Sequence, residues 1–230
     1  PEAIVHAAAI STAEAVRRDL ARARAVNVEA TARLADWCAR RGRRLVFTST
    51  DLVFDGSRAW SREEDPAEPV LAYGRTKREA EPAVLALPRG LVARVGLLYG
   101  PAREGRATYF DRTIAGLRAG QPQTFFEDEF RTALDYATAA AILVRLAESD
   151  ATGLLHVAGR ERVSRYELIR RATVALGLDA GLVRANRQSD AAPSEPRPAD
   201  VSLDTTRLAT LLPDLRRPPI EEAVTGVLDG

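Results

Sequence analysis

The sequence predicts a layered α/β protein built around a parallel sheet. Short apolar runs alternate with longer helical patterns along the 230 residues, an order typical of strands joined by right-handed helical crossovers. The predicted strands are apolar throughout rather than at every second residue, as expected when helices cover both faces of a sheet. The composition agrees, since 46% hydrophobic and 28% charged residues are ordinary for a globular protein.

The elements follow one another in that order along the chain. Apolar runs predict strands at residues 3–10, 45–50, 91–98 and 153–158, with a short further strand at 124–126. Helical spacing of apolar residues predicts helices at 13–41, 72–87, 108–119, 137–147, 164–177, 204–211 and 219–228. Stretches rich in polar residues and proline predict loops at 57–70 and 183–202. Pro82 lies inside the second predicted helix, where an interior proline introduces a kink.

Two features of the sequence concern its division and its start. The composition changes after about residue 151, where Pro, Ser and Asp become more frequent. We therefore predict two interleaved units, a larger one that is mostly residues 1–150 and a smaller C-terminal one that is mostly residues 151–230. The chain starts at Pro1, contains no methionine and begins almost directly with a predicted core strand. A domain rarely opens on such a strand, so we expect that Pro1 is not the natural N-terminus.

Charge and residue usage argue against several classes of function. The net charge of +1 gives no indication of nucleic acid or an anionic membrane as a partner. No apolar run approaches the roughly 20 residues of a membrane span. The single cysteine, Cys38, cannot form an internal disulfide, so a reducing, cytoplasmic location is expected. His6 and His156 are interpreted as core or strand-end residues, and no metal site is predicted. Four arginine pairs are interpreted as solvated, at 17–18, 43–44, 170–171 and 216–217.

One pair of residues points to chemistry. Lys77 is the only lysine among the 33 Lys and Arg residues, and it follows Tyr73 by four positions. Residues four apart share a helix face, so the ammonium and the phenol are expected to lie together. An ammonium beside a phenol lowers the pKa of the phenol, which can then exchange a proton with a substrate oxygen near neutral pH. The alternative is an ordinary surface pair.

Several segments, taken in order, resemble the extended short-chain dehydrogenase/reductases. Within that family the segment STDLVFDG at residues 49–56 is similar to the Ser-Thr-Asp-Tyr-Val-Phe-x-Gly motif of the dTDP-4-dehydrorhamnose reductase group. Sugar dehydratases of the same fold carry Thr-Asp-Glu here, and Leu52 cannot do the acid–base work of that glutamate. The other resembling segments are residues 5–9, Asn27 with Val28, the YGRTK segment at 73–77, residues 94–100, Arg197 with Pro198, and Leu203 with Asp204.

The resemblance implies a fold, a cofactor and a set of site residues. The implied fold is a doubly wound Rossmann-type parallel sheet, with its N-terminal strands missing from this chain, and a smaller C-terminal α/β substrate subdomain. The implied activity is reduction of a nucleotide-linked keto-sugar by NADP or NAD, as in dTDP-rhamnose biosynthesis. The implied catalytic residues are Tyr73, Lys77 and Thr50. The implied cofactor-binding residues are Ala7, Ala8, Ala9, Tyr73 and Lys77. The implied substrate-binding residues are Thr50, Asp51, Leu97 and Arg131.

The residues also leave alternatives open. Thr50 is otherwise a strand-end hydroxyl that caps a turn, and Arg131 is otherwise one half of a structural pair with Asp135. Leu97 stands where the reductases carry a tryptophan. The family's glycine-rich phosphate loop is absent from these residues and is expected upstream of Pro1. The alternative functions are a nucleotide-sugar epimerase and a non-catalytic dinucleotide-binding regulatory subunit. The choice between NADH and NADPH stays open, as does a homodimer.

Overall fold

The computed structural model describes residues 1–101, 107–191 and 196–226. Within these ranges the strands are β1 (Ala3–His6), β2 (Arg44–Thr50), β3 (Gly90–Val95), β4 (Leu98–Tyr99), β5 (Gln123–Phe126), β6 (Phe130–Arg131), β7 (Leu134–Asp135), β8 (Gly153–Val157), β9 (Val163–Ser164) and β10 (Val183–Asn186). The α-helices are α1 (Ala13–Arg18), α2 (Leu20–Arg24), α3 (Ala30–Arg41), α4 (Ala72–Leu85), α5 (Tyr109–Arg118), α6 (Tyr136–Glu148), α7 (Arg165–Ala175), α8 (Thr206–Leu211) and α9 (Ile220–Thr225). A π-helical turn, Ala25–Glu29, joins α2 to α3, and 3₁₀ turns cover Asp51–Val53, Ala180–Leu182 and Gln188–Asp190.

Four parallel strands form the central sheet in the order β1-β2-β3-β8. Alternate residues of these strands enter different hydrophobic cores. Leu45 and Phe47 pack with α3 and α4, whereas Val46 faces the other way and packs with α6 and α8. The sheet is therefore covered on both faces, and the predicted parallel α/β architecture is confirmed. None of the helices within the described ranges is both long enough and apolar enough to cross a bilayer.

A further core lies beside the central sheet. It is built by α5, α7 and α9 together with the parallel pair β5 and β10. Elements on both sides of residue 151 contribute to each region, since α5 and β5 belong to this further core, whereas β8 lies in the central sheet and α8 packs against it. The division into two units near residue 151 stays a prediction.

Some predicted elements are wrong in extent. The first strand ends at His6 instead of residue 10, and the predicted loop at 183–202 contains β10. The single helix predicted at 13–41 is broken, because Asp19 accepts a hydrogen bond from the Arg22 N–H at 2.9 Å and starts a new helix. By contrast, α4 continues through Pro82. Residues 192–195 of that loop and the predicted helix end at 227–228 lie outside the described residues.

Arg44 departs from the expected solvated arginine pair, because its side chain is only 1% exposed. Its guanidinium donates to the Leu146 carbonyl at 3.0 and 2.8 Å and to the Ala151 carbonyl at 2.5 Å. Leu146 lies in the last turn of α6, where carbonyls have no helical partner. Arg44 therefore caps α6 together with Ser149, which donates to the same Leu146 carbonyl, and it holds the segment that leads into β8.

We expect Arg44→Met to lower the free energy of unfolding by about 2 kcal/mol, because the Ala151 carbonyl loses its charged donor and the Leu146 carbonyl keeps only its bonds from Ser149. Arg43→Met is the matched control, since Arg43 is exposed and a surface substitution changes stability by about 0.5 kcal/mol or less. Urea denaturation of both variants measures the difference. Equal losses in the two variants would contradict the capping role.

Candidate active site

The candidate site is organised by one face of α4. Tyr73, Lys77 and Glu81 follow one another at intervals of four residues, so all three share that face. Lys77 is 1% exposed and Glu81 is fully buried, while Tyr73 is partly buried. The Lys77 ammonium lies 4.0 Å from the centroid of the Phe47 ring on β2. The structure thus brings the predicted Tyr–Lys pair to the sheet and not to an outer surface.

Gly74 lets the first turn of α4 approach the end of β2. A Cβ added at this position would lie 2.1 Å from the Leu52 carbonyl oxygen, which no side chain permits. Leu52 belongs to the 3₁₀ turn Asp51–Val53 that follows β2. The contact therefore sets α4 against the segment that carries Thr50 and Asp51.

The electrostatics of Tyr73 differ from the expectation. Burial, and then the Asp51 carboxylate, raise the pKa of Tyr73 well above its usual value of 10. The lowering expected from Lys77 is not among the causes of this shift. Lys77 itself has its pKa lowered to about 8 by burial, an effect that the charge of Glu81 partly opposes. These shifts keep the phenol uncharged at neutral pH and lower the pH at which the ammonium loses its proton.

Thr50 and Asp51 interact with the protein itself. Thr50 Oγ1 accepts from the Leu52 N–H at 3.2 Å and donates to Asp51 Oδ1 at 3.1 Å. Asp51 Oδ2 accepts from Arg131 at 2.9 Å, and the Asp51 side chain is 3% exposed. Thr50 therefore adopts the alternative turn-capping arrangement. Contact of Thr50 or Asp51 with a substrate stays a prediction.

Arg131 belongs to a buried ionic network. Besides Asp51, it donates to the fully buried Glu129 at 3.2 Å. Arg165 and Arg197 converge on the same carboxylate at 2.7 Å. Burial opposes ionisation of Glu129, but the three guanidinium groups outweigh it and lower the pKa of Glu129 to about 2. The charge of Arg131 is thus matched within the protein, and its role in substrate binding stays a prediction.

Two other expected residues have clear positions. The alternative pairing of Arg131 with Asp135 is wrong, because Asp135 accepts from the Thr138 N–H at 2.8 Å and caps α6. Leu97 is half-buried and packs against the core formed by α5, α7 and α9. Its carbonyl accepts from the Leu134 N–H at 2.9 Å. Its contact with a substrate also stays a prediction.

The predicted cofactor residues lie at the carboxyl edge of the central sheet. Ala7, Ala8 and Ala9 directly follow β1, and the first two are exposed. Ligands of open parallel sheets bind at this edge. Among the described residues, neither the Lys77 ammonium nor the Tyr73 hydroxyl forms a hydrogen bond or ion pair within the protein. Both groups are therefore available to oxygens of a bound ligand, which fits the nicotinamide-ribose half of a dinucleotide.

Asn27 has a larger part in the site than its sequence position indicated. It lies in the π-helical turn, is fully buried, and forms hydrogen bonds with both backbone groups of Ile10 at 2.8 and 3.0 Å. Its side-chain amide also donates to Thr76 Oγ1 at 2.9 Å. One side chain thus joins the segment after β1 to α4, between Tyr73 and Lys77. The only sequence signal was a polar residue within a predicted apolar helix, whereas the structure adds that it lies in a π-helical turn, a type frequent at functional sites.

Glu81 and Arg94 form a second anchor that the sequence did not reveal. Arg94 on β3 donates to both carboxylate oxygens of Glu81 at 3.0 and 2.9 Å. Ser49 on β2 donates to the same carboxylate at 2.7 Å.

Across the described part of the chain, no group of His, Cys, Asp and Glu side chains could hold a metal ion.

Comparisons with known proteins give the following likenesses. A family model described as "RmlD substrate binding domain" matches residues 1–230. Methionine adenosyltransferase 2 subunit beta of Bos taurus is 32% identical over 218 residues, which are 92% of this chain. The chain spans 65% of the length of that relative. A probable dTDP-4,6-dihydroxy-2-methyloxan-3-one 4-ketoreductase of Streptomyces antibioticus is 33% identical over 204 residues, covering 86% of this chain and 68% of the relative.

Solved structures share the fold. The dTDP-4-dehydrorhamnose reductase of Bacillus anthracis in complex with NADP superposes with a TM-score of 0.89, at 21% identity, over 100% of this chain and 81% of that one. MoeE5 in complex with UDP-glucose and NAD gives a TM-score of 0.79, at 22% identity, over 97% and 77% of the two chains. The predicted Rossmann-type fold is confirmed by these likenesses.

The lone lysine allows a direct measurement of the site's electrostatics. In the ligand-free protein labelled with ¹³Cε-lysine, we expect one resonance with a titration midpoint at about 8, because burial disfavours the ammonium. The unfolded chain holds this proton up to its ordinary pKa of 10.5. The free energy of unfolding should therefore rise between these two pH values, by roughly 2 kcal/mol from pH 7 to pH 10.

Lys77→Met is the control for this measurement, because it removes the titrating group and should remove the rise. The two proteins are compared only up to pH 10. Above pH 10 the raised pKa of Tyr73 lowers the free energy of unfolding, because the phenol ionises in the unfolded chain before it does so in the folded protein. A midpoint near 10.5 would mean that the ammonium is solvated, contrary to this site.

Proposed function

The chain belongs to the RmlD substrate binding domain family, and on that premise we propose that it is an NAD(P)H-dependent reductase of a nucleotide-linked keto-sugar. One observation carries the proposal. The Tyr73 hydroxyl and the Lys77 ammonium share one face of α4 at the carboxyl edge of the sheet, and neither bonds to another described residue. The relative described as a probable dTDP-sugar 4-ketoreductase supports the same substrate class.

Tyr73 is the proposed general acid. Its raised pKa keeps the phenol protonated at neutral pH, so a proton is available to the oxygen of the reacting carbonyl. A bound nicotinamide supplies the hydride. Lys77 is proposed to hydrogen-bond the ribose hydroxyls and, as a cation, to stabilise the phenolate that remains after proton transfer.

Thr50 and the exposed residues after β1 complete the proposed site. The Thr50 hydroxyl is assigned to the carbonyl oxygen of the substrate, which requires that it rotates away from Asp51. Ala7 and Ala8 have no side chain beyond Cβ, so the backbone after β1 leaves space for the cofactor's ribose. Leu52 offers no carboxyl group, which argues against the water elimination that a dehydratase performs.

A non-catalytic role is the second candidate. The similarity to methionine adenosyltransferase 2 subunit beta extends over 92% of this chain at 32% identity. By that likeness the protein would bind a dinucleotide and a partner enzyme of the methionine adenosyltransferase type, without turnover. Such a role would use Lys77 to bind the dinucleotide but would require no proton transfer from the Tyr73 hydroxyl.

Replacing Tyr73 tests the general acid. We expect Tyr73→Phe to lower kcat by about 10²–10⁴-fold with little change in KM, because only the proton donor is removed. Tyr166→Phe is the matched control, since Tyr166 packs in the core formed by α5, α7 and α9. The assay follows cofactor oxidation by the complete protein with its keto-sugar substrate. Undiminished turnover in Tyr73→Phe would refute the assignment.

A substrate panel separates the two candidate functions. The complete protein is incubated with NADPH or NADH and a set of dTDP-4-keto-sugars, and cofactor absorbance is followed. The reductase proposal predicts oxidation that depends on the sugar and is lost in Tyr73→Phe. Saturable cofactor binding and a stable complex with a methionine adenosyltransferase, without oxidation for any sugar, would instead establish the regulatory role.

A further inference from the structure

A cavity unrelated to Tyr73 and Lys77 lies beyond the carboxyl end of β8. It has a volume of about 300 Å³, and its lining includes Trp60, Arg160, Asp204, Thr205 and Arg217. A neighbouring cavity of about 270 Å³ shares both arginines. None of the residues assigned to the proposed reductase site lines either cavity. Arg160 and Arg217 therefore line both cavities, and neither cavity contains a residue of the proposed reductase site.

The two arginines have no carboxylate partner among the described residues. Arg217 is half-buried and donates to the Ala158 carbonyl at 3.0 Å and to Thr205 Oγ1 at 2.7 Å, both with Nη1. Arg160 is exposed and forms no ion pair within the described ranges. Burial, and then the charge of Arg160, lower the pKa of Arg217. Two like charges thus share one concave surface, an arrangement that a bound anion stabilises.

The acidic residue of the cavity does not neutralise this pair. Asp204 accepts from the Thr206 N–H at 2.8 Å, and its other oxygen lies 3.8 Å from Arg62. Its charge is therefore taken up by a helix start and by a different arginine. The hydroxyl of Thr205 accepts from Arg217, and its own proton remains available to a ligand.

Trp60 is held at the cavity in an unusual backbone conformation. Its φ of 58° is the only positive value of a non-glycine residue in the described part of the chain. Two contacts with Ser202 hold it there: the Trp60 N–H donates to Ser202 Oγ at 2.8 Å, and the Ser61 N–H donates to the Ser202 carbonyl at 2.8 Å. The side chain nevertheless stays 43% exposed. A bulky aromatic residue in this conformation is a genuine outlier, and such outliers cluster at ligand-binding sites.

We propose that this cavity binds a small aryl phosphate, with its ring stacked on the indole of Trp60 and its phosphoryl group held by Arg160 and Arg217. The indole offers a face for a planar ring, and guanidinium groups match phosphoryl oxygens in geometry and charge. The volume suits a small molecule and excludes a folded segment of a macromolecule. The site is independent of the proposed reductase activity.

Titration calorimetry with phenyl phosphate tests the proposal, with cofactor in excess so that the dinucleotide site is filled. We expect saturable binding that Arg160→Gln weakens about tenfold or more, since one charge-assisted hydrogen-bonding group is lost. Arg184→Gln is the matched control, because Arg184 is an exposed arginine on β10 away from the cavity. Phenol and inorganic phosphate should each bind at least about tenfold more weakly than phenyl phosphate.

Two further variants separate binding from folding and from catalysis. Trp60→Gly should abolish phenyl phosphate binding without lowering the midpoint of thermal unfolding, because glycine accepts a positive φ without strain. Tyr73→Phe should bind phenyl phosphate as the unaltered protein does, whatever its effect on turnover. Absence of saturable binding at millimolar phenyl phosphate would overturn the proposal. Equal affinity in the unaltered protein and Arg160→Gln would do the same.

Discussion

The arrangement of the site depends on a buried ion pair between α4 and the sheet. Glu81 is fully buried, and its carboxylate accepts from Arg94 on β3 and Ser49 on β2. A charge in a low-dielectric interior is tolerated only when its partners are in place, so this pair allows one position of α4. Lys77 lies one turn earlier on the same face and Tyr73 one turn before that. The position of the face that carries the proposed catalytic residues is therefore set by a contact at the far end of α4.

Two other contacts fix the near end of α4. The missing side chain of Gly74 allows the Leu52 carbonyl to approach the first turn, and Asn27 joins Thr76 to the segment after β1. Three anchors from three parts of the chain thus hold one helix. This placement of α4 has an electrostatic consequence, because it keeps Lys77 buried and Tyr73 partly buried. Burial raises the pKa of the phenol and lowers that of the ammonium.

The sequence predicted what depends on local periodicity and order. The parallel α/β sheet, the Tyr73–Lys77 face of α4 and the likeness to the extended reductases of the dTDP-4-dehydrorhamnose group follow from such signals, and the family and fold are confirmed. Buried charges were missed, because the sequence does not distinguish a solvated arginine or glutamate from one that is buried in an ion pair. Arg44 bonds to carbonyls more than 100 residues away, and Glu129 pairs with two distant arginines, Arg165 and Arg197, as well as with its neighbour Arg131. The break at Asp19 was missed because helical spacing continues through it.

The energetics of Lys77 and Tyr73 bear differently on the two candidate functions. Lowering the pKa of Lys77 from 10.5 to about 8 corresponds to roughly 3 kcal/mol of unfavourable burial at neutral pH. An apolar side chain would avoid that cost, so the ammonium is best explained by a ligand oxygen that satisfies it. Under the proposed function a dinucleotide ribose would do so, in a reductase and in a binding subunit alike. Tyr73 is different, because a binding subunit has no use for a proton donor. The Tyr73 phenol is therefore the group that distinguishes the reductase from the binding subunit. Lys77 supports dinucleotide binding, which both candidate functions share.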